Sequence, residues 1–157
     1  MHVKIDISEN VRFVEKDSVL GVATDDQSYK KNVCLYPRVK KRIHQYPSKV
    51  DKVHSILIYY LIKDELHLYS SIQICNDINK NKLINNLRKL FKDNPHWSKL
   101  EKSRCISVLS VKKAYVHQYV NRVRKGKEDK GTELNLDIMK NYLRKFSDEE
   151  EQNRKET

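Results

Sequence analysis

The stretch YSSIQICNDINKNKLINNLRKL, Tyr69 to Leu90, decides how the chain is read. Ile72 and Ile74 alternate with polar neighbours, the period of a half-buried strand, and from Asn79 the apolar residues fall at Leu83, Leu87 and Leu90, the period of a helix. A strand that runs straight into an amphipathic helix is half of a parallel crossover unit. Asn76 and Asp77 lie at the junction. Either can cap the helix by accepting from its free N–H groups. A carboxylate held at the end of a strand can also do chemistry, so Asp77 has two readings: a helix cap first, and a ligand if a second carboxylate is adjacent.

Upstream, HVKIDI sets Val3, Ile5 and Ile7 against Lys4 and Asp6, and VRFVE and SVLGVA follow after short turns, so the front of the chain predicts an antiparallel meander. NVCLY (32–36) reads as a fourth strand. Helical periodicity begins after Pro47, with Ser48 and Asp51 spaced as a capping box and Val50, Val53, Leu57 and Leu61 on one face. Downstream of Leu90, a stop at Pro95 precedes a strand centred on Ile106 and Val108. A helix is predicted over 112–125, a loop at GKEDKG, and a last helix over 133–146. The expected fold is therefore α/β: a mixed sheet with an N-terminal antiparallel meander, then alternating helices and parallel strands. Residues 1–146 read as a single α/β domain, and 147–157 as an acidic disordered tail.

The 157 residues carry a formal charge of +11, and charged residues make up 34% of them. The pI is near 9.5 and the mean hydropathy is -0.79. The last eleven residues contribute -3, which concentrates the positive surplus in the folded part. Two acid-free segments hold most of it. Lys30, Lys31, Arg38, Lys40, Lys41 and Arg42 lie in the first, among Tyr29, Tyr36 and Tyr46. Lys112, Lys113, Arg122, Arg124 and Lys125 lie in the second. Lysine and arginine neutralise phosphates and tyrosine stacks on unpaired bases, so the expected partner is nucleic acid, RNA or DNA, bound where the two segments converge. A lysine-rich solvated surface is the bland alternative.

Cys34, Cys75 and Cys105 show no paired spacing for a zinc knuckle or a redox couple, and each lies in an apolar run where a thiol packs as a small hydrophobe. The six histidines show no metal-ligand spacing on one helix face and read as packing or surface residues. Gly21 is isolated, so no glycine-rich phosphate loop is present. No apolar leader opens the chain and no run is long enough for a bilayer, which gives an expectation of a cytoplasmic protein without a membrane partner.

The order of elements over about residues 2–125 resembles the ribonuclease H-like superfamily. That resemblance implies one carboxylate on the first strand and one at the end of the fourth, neighbours in the sheet and ligands of divalent metal, here Asp6 and Asp77. It implies Mg²⁺ or Mn²⁺ if the protein is a nuclease. Asp51, on the first long helix, is a further tentative member, and Asp25 replaces Asp6 if VLGVATDD is the first strand instead. The helix over 112–125 holds no acid, which leaves Asp137 as the remaining substitute. The favoured expectation is a nucleic-acid-binding protein of this fold without a complete active site. The alternatives are a metal-dependent nuclease or strand-transfer relative, and a structural or adaptor protein with a protein partner or a second copy of itself.

Overall fold

The computed structural model describes residues 1–156, with side chains for all of these except 148–154 and 156. Six strands form one sheet: β1 (His2–Ser8), β2 (Ser18–Ala23), β3 (Lys30–Leu35), β4 (Ser71–Ile74), β5 (Ile106–Val108) and β6 (Thr132–Glu133). Their order is β5-β4-β1-β2-β3-β6. β1, β2 and β3 are antiparallel neighbours, whereas β4 runs parallel to β1, β5 parallel to β4 and β6 parallel to β3. The helices are α1 (Pro37–Lys40), α2 (Val50–Ile62), α3 (Lys80–Leu90), α4 (Pro95–Lys102), α5 (Tyr115–Arg124) and α6 (Leu136–Glu156).

The sheet is covered on both faces. α5 crosses β1 and β2 on one side, and α2 packs on β2 and β3 on the other, with α3 and α6 against α2. β2 lies between the two layers, and all six of its residues are buried, which is why SVLGVA reads as an unbroken apolar run. On β1 the alternation is clean. Asp6 and Ser8 reach residues of α5, so Val3, Ile5 and Ile7 face the α2 layer.

Gly21 sets how closely α5 can lie on the sheet. A Cβ there would come within 2.5 Å of Val120 Cγ1 and 3.3 Å of the Tyr119 ring. Gly21 is also the cross-strand partner of Asp6. The glycine therefore lets α5 settle directly over the one buried carboxylate among the described residues.

Several local expectations are corrected. Val11–Glu15 is not a strand: Val11 is buried and Val14 partly so, Phe13 is exposed, and Phe13 N–H bonds back to Asn10 O in a turn. The second and third strands of the meander are instead 18–23 and 30–35. The Ser48–Asp51 capping box does not form. Ser48 Oγ donates to Gln45 O, and a short 3₁₀ turn, Tyr46–Lys49, leads into α2. Pro95, read as a stop, instead opens a further helix, α4, because Asn94 Oδ1 accepts from His96 N and Trp97 N, and proline suits a first helical position. Trp97 then stacks on Phe91 at 4.8 Å. Glu133, expected to open the last helix, instead joins Thr132 in β6. The last helix, α6, begins at Leu136.

A candidate metal centre between the first and fourth strands

The parallel register of β1 and β4 pairs Ile5 with Ile74, and Cys75 N–H donates to Ile5 O at 2.9 Å. The next residues on the opposite face are Asp6 and Cys75, side by side. The chain then leaves the sheet through Asn76 and Asp77. One carboxylate oxygen of Asp6, Cys75 Sγ and one carboxylate oxygen of Asp77 all lie within 4.8 Å of one another. Asp6 and Cys75 are buried and Asp77 is exposed, so the cluster has one open side.

Asp77 does not cap α3. That role belongs to Asn79, whose Oδ1 accepts from Lys82 N at 3.1 Å. The Asp77 carboxylate is left without an ion pair among the described residues.

α5 closes the other side of Asp6. His117 Nδ1 and Asp6 Oδ2 are 2.7 Å apart, and Asp6 Oδ1 accepts from Ile7 N at 2.8 Å. A chain of bonds lies behind the imidazole. Arg124 Nε donates to Ser8 Oγ at 2.7 Å, and Ser8 O–H donates to Asn121 Oδ1 at 2.7 Å. This turns the Asn121 amide nitrogen toward His117 Nε2, at 3.5 Å. The pattern is self-consistent with the proton on Nδ1 and the lone pair on Nε2. His117 thus holds Asp6 in place rather than joining the cluster.

Burial raises the Asp6 carboxyl above its ordinary value and the nearby Asp77 charge adds to the rise, while the His117 and Ile7 hydrogen bonds pull against it. Burial, then the charges of Asp77 and Asp6, push the Cys75 thiol well up. These are the effects of concentrating negative charge where water is scarce. No lysine or arginine ion pair neutralises Asp6 or Asp77 among the described residues, in a chain with 32 such side chains. Two carboxylates and a thiol left this way suit a bound cation.

Asp25 and Asp51 are not part of this cluster. Asp25 pairs with Lys4 at 2.6 Å, and Asp51 pairs with Lys82 at 3.3 Å. The first-strand carboxylate is therefore Asp6. Asp137 is exposed on α6, which packs against α2 in the other layer.

The two basic segments fare differently. In the first, Lys30 pairs with Glu128, Lys31 with Glu65, Arg38 with Glu133 and Lys41 with Glu15. Lys40 is fully buried. Its ammonium donates to Phe13 O, Lys16 O and Ser18 Oγ at 2.7–2.9 Å, clamping the β1–β2 loop, so it presents no charge to a polyanion. Of the expected contacts here, only Arg42 is exposed and without an ion pair among the described residues. In the second segment Lys112, Lys113, Arg122 and Lys125 are exposed and without an ion pair among the described residues, and Arg124 is taken up by Ser8 and, at 3.9 Å, Glu9. The two segments meet where Lys30 Nζ lies 3.4 Å from Tyr115 Oη and over the Tyr119 ring, and where Asn32 Nδ2 donates to Tyr119 Oη at 2.8 Å.

A cavity of about 310 Å³ is lined by residues including Lys4, Asp25, Gln73, Lys113 and Tyr115, none of them in the cluster. A larger one, about 610 Å³, lies among α2, α3 and α6 and shares no residue with the cluster.

Sequence reasoning missed His117 and Cys75. Both are joined to Asp6 only by the sheet register and the approach of α5, which no local pattern reveals. No family model, curated protein or solved structure matches the chain. Among the described residues no helix is long and apolar enough to cross a membrane.

Proposed function

We propose that the protein is a divalent-metal-dependent nuclease of ribonuclease H-like type, with Asp6 and Asp77 as its metal-binding carboxylates. The observation that carries this reading is the convergence of the two oxygens within 4.8 Å, from one strand and the end of its parallel neighbour, without a lysine or arginine ion pair among the described residues. Mg²⁺ or Mn²⁺, held by Asp6 and Asp77, would supply an activated water and charge stabilisation at phosphorus. The chain's own residues do the rest. Ile7 N–H and His117 fix the Asp6 carboxylate, Asn121 fixes the imidazole, and Lys112 and Lys113, before α5, draw the phosphate backbone toward the open side at Asp77.

A second reading, nucleic-acid binding without cleavage, is favoured by one observation: among the described residues no third carboxylate joins Asp6 and Asp77. The experiment that separates the two uses labelled single-stranded RNA, single-stranded DNA, both duplexes and a hybrid, with Mg²⁺, Mn²⁺ or EDTA, over a salt series. Metal-dependent products support the nuclease. Salt-sensitive binding without products supports the binding module, and no binding at low salt removes both.

A further inference from the structure

The proposed nuclease chemistry needs only oxygen ligands, yet a sulfur lies between them. On β4, Ile72 and Ile74 point into the α2 layer with Val3 and Ile5, while Cys75 points the other way, beside Asp6. A cysteine that merely filled space would be matched by alanine or valine. This one has its Sγ within 4.8 Å of two carboxylate oxygens that no lysine or arginine ion pair neutralises among the described residues.

We propose that Cys75, Asp6 and Asp77 together form a three-donor seat for a borderline-soft divalent cation of the zinc or cobalt(II) class. The inference rests on the metal-centre part of the function proposed above and is independent of nuclease activity.

The donor set is the first argument. Thiolate ligands select zinc-like ions over magnesium, and carboxylates complete such sites. Geometry is the second. Metal–sulfur and metal–oxygen bonds of about 2.3 and 2.1 Å around a tetrahedral ion place donors roughly 3.5 Å apart, so donors already within 4.8 Å converge by small side-chain rotations. The exposed side at Asp77 leaves the fourth position to water. Asp6, held by His117 and Ile7 N–H, has the hydrogen-bonded support that ligating carboxylates require. Binding replaces the Cys75 S–H bond by a sulfur–metal bond and releases that proton to solvent.

The test is cobalt(II) titration of the full chain under reducing conditions, followed by absorption spectroscopy. One equivalent is expected to give a near-ultraviolet thiolate-to-cobalt charge-transfer band. The band should vanish in Cys75→Ser, persist in Cys34→Ser and Cys105→Ser, and be displaced by Zn²⁺ but not by a large excess of Mg²⁺. No band in the wild type, or a band that survives Cys75→Ser, overturns the proposal. If Cys75→Ser fails to fold by circular dichroism, exposed Asp77 serves instead. Asp77→Asn should weaken Zn²⁺ by at least about tenfold in competition with a chromophoric chelator, and unchanged affinity overturns the proposal. Mg²⁺-dependent cleavage without a cobalt band leaves the nuclease standing and removes this site. A Cys75-dependent band without cleavage does the reverse.

Discussion

His54 provides a stability measurement that depends on no substrate. Its ring is fully buried on α2, and neither nitrogen has a hydrogen-bond partner among the described residues. Burial lowers the imidazole from 6.5 to about 4, although Asp77 and Asp51 pull it the other way. The folded protein therefore holds His54 neutral where the unfolded chain would protonate it. Its titration costs the fold nothing above pH 6.5 and imposes a growing penalty as the pH falls toward 4. One proton over that interval, at ~1.4 kcal/mol per pH unit, makes the penalty about 3 kcal/mol. Urea unfolding of the wild type and His54→Leu between pH 4 and 7 isolates this contribution, because all other titrations cancel in the difference. The variant should be equal or somewhat more stable at pH 7, since leucine leaves no unsatisfied nitrogen. Its advantage should grow by about 3 kcal/mol by pH 4. Parallel stability profiles would refute the buried, unpartnered histidine.

Three further outcomes follow from the packing and the charge pattern. Gly21→Ala should cost about 1–3 kcal/mol and lower metal-dependent cleavage, because the new methyl displaces Val120 and with it His117; adding Val120→Ala should restore both, and failure of this rescue argues against the contact. Replacing Lys112, Lys113, Arg122 and Lys125 by alanine should lower the salt dependence of nucleic-acid binding by up to roughly 3 in log–log slope, whereas Lys31, Arg38 and Lys41, each already paired, should change it little. Lys40→Met should destabilise the fold by about 2–4 kcal/mol in urea by freeing two backbone carbonyls, yet leave that slope unchanged.

What the sequence made legible follows the range of the forces involved. Alternation at Val3, Ile5 and Ile7 and at Ile72 and Ile74 is local, so β1 and β4 were readable, as was the mixed character of the sheet. The short alternation at Val11 and Phe13 misled because a buried lysine 27 residues later, Lys40, holds that segment as a loop. The basic stretch from Gln27 to Val50 looked uncompensated because its partners, Glu65, Glu128 and Glu133, are distant in sequence. Asp77 was visible as a choice between cap and ligand, and a better-placed neighbour, Asn79, takes the cap. His117 was unreadable for a different reason: it reaches Asp6 across 111 residues, and only because Gly21 lets α5 down onto the sheet.

The central claim is that Asp6 and Asp77 act together on one divalent cation, and the most direct measurement is single-turnover cleavage of the substrate panel in Mn²⁺ by wild type, Asp6→Asn and Asp77→Asn. Asp77 is exposed and takes no part in capping α3, so its variant should fold as the wild type does. The account predicts metal-dependent cleavage by the wild type, lost in both single variants and no further reduced in the double. Cleavage that persists in Asp77→Asn, or that proceeds equally in EDTA, would contradict it.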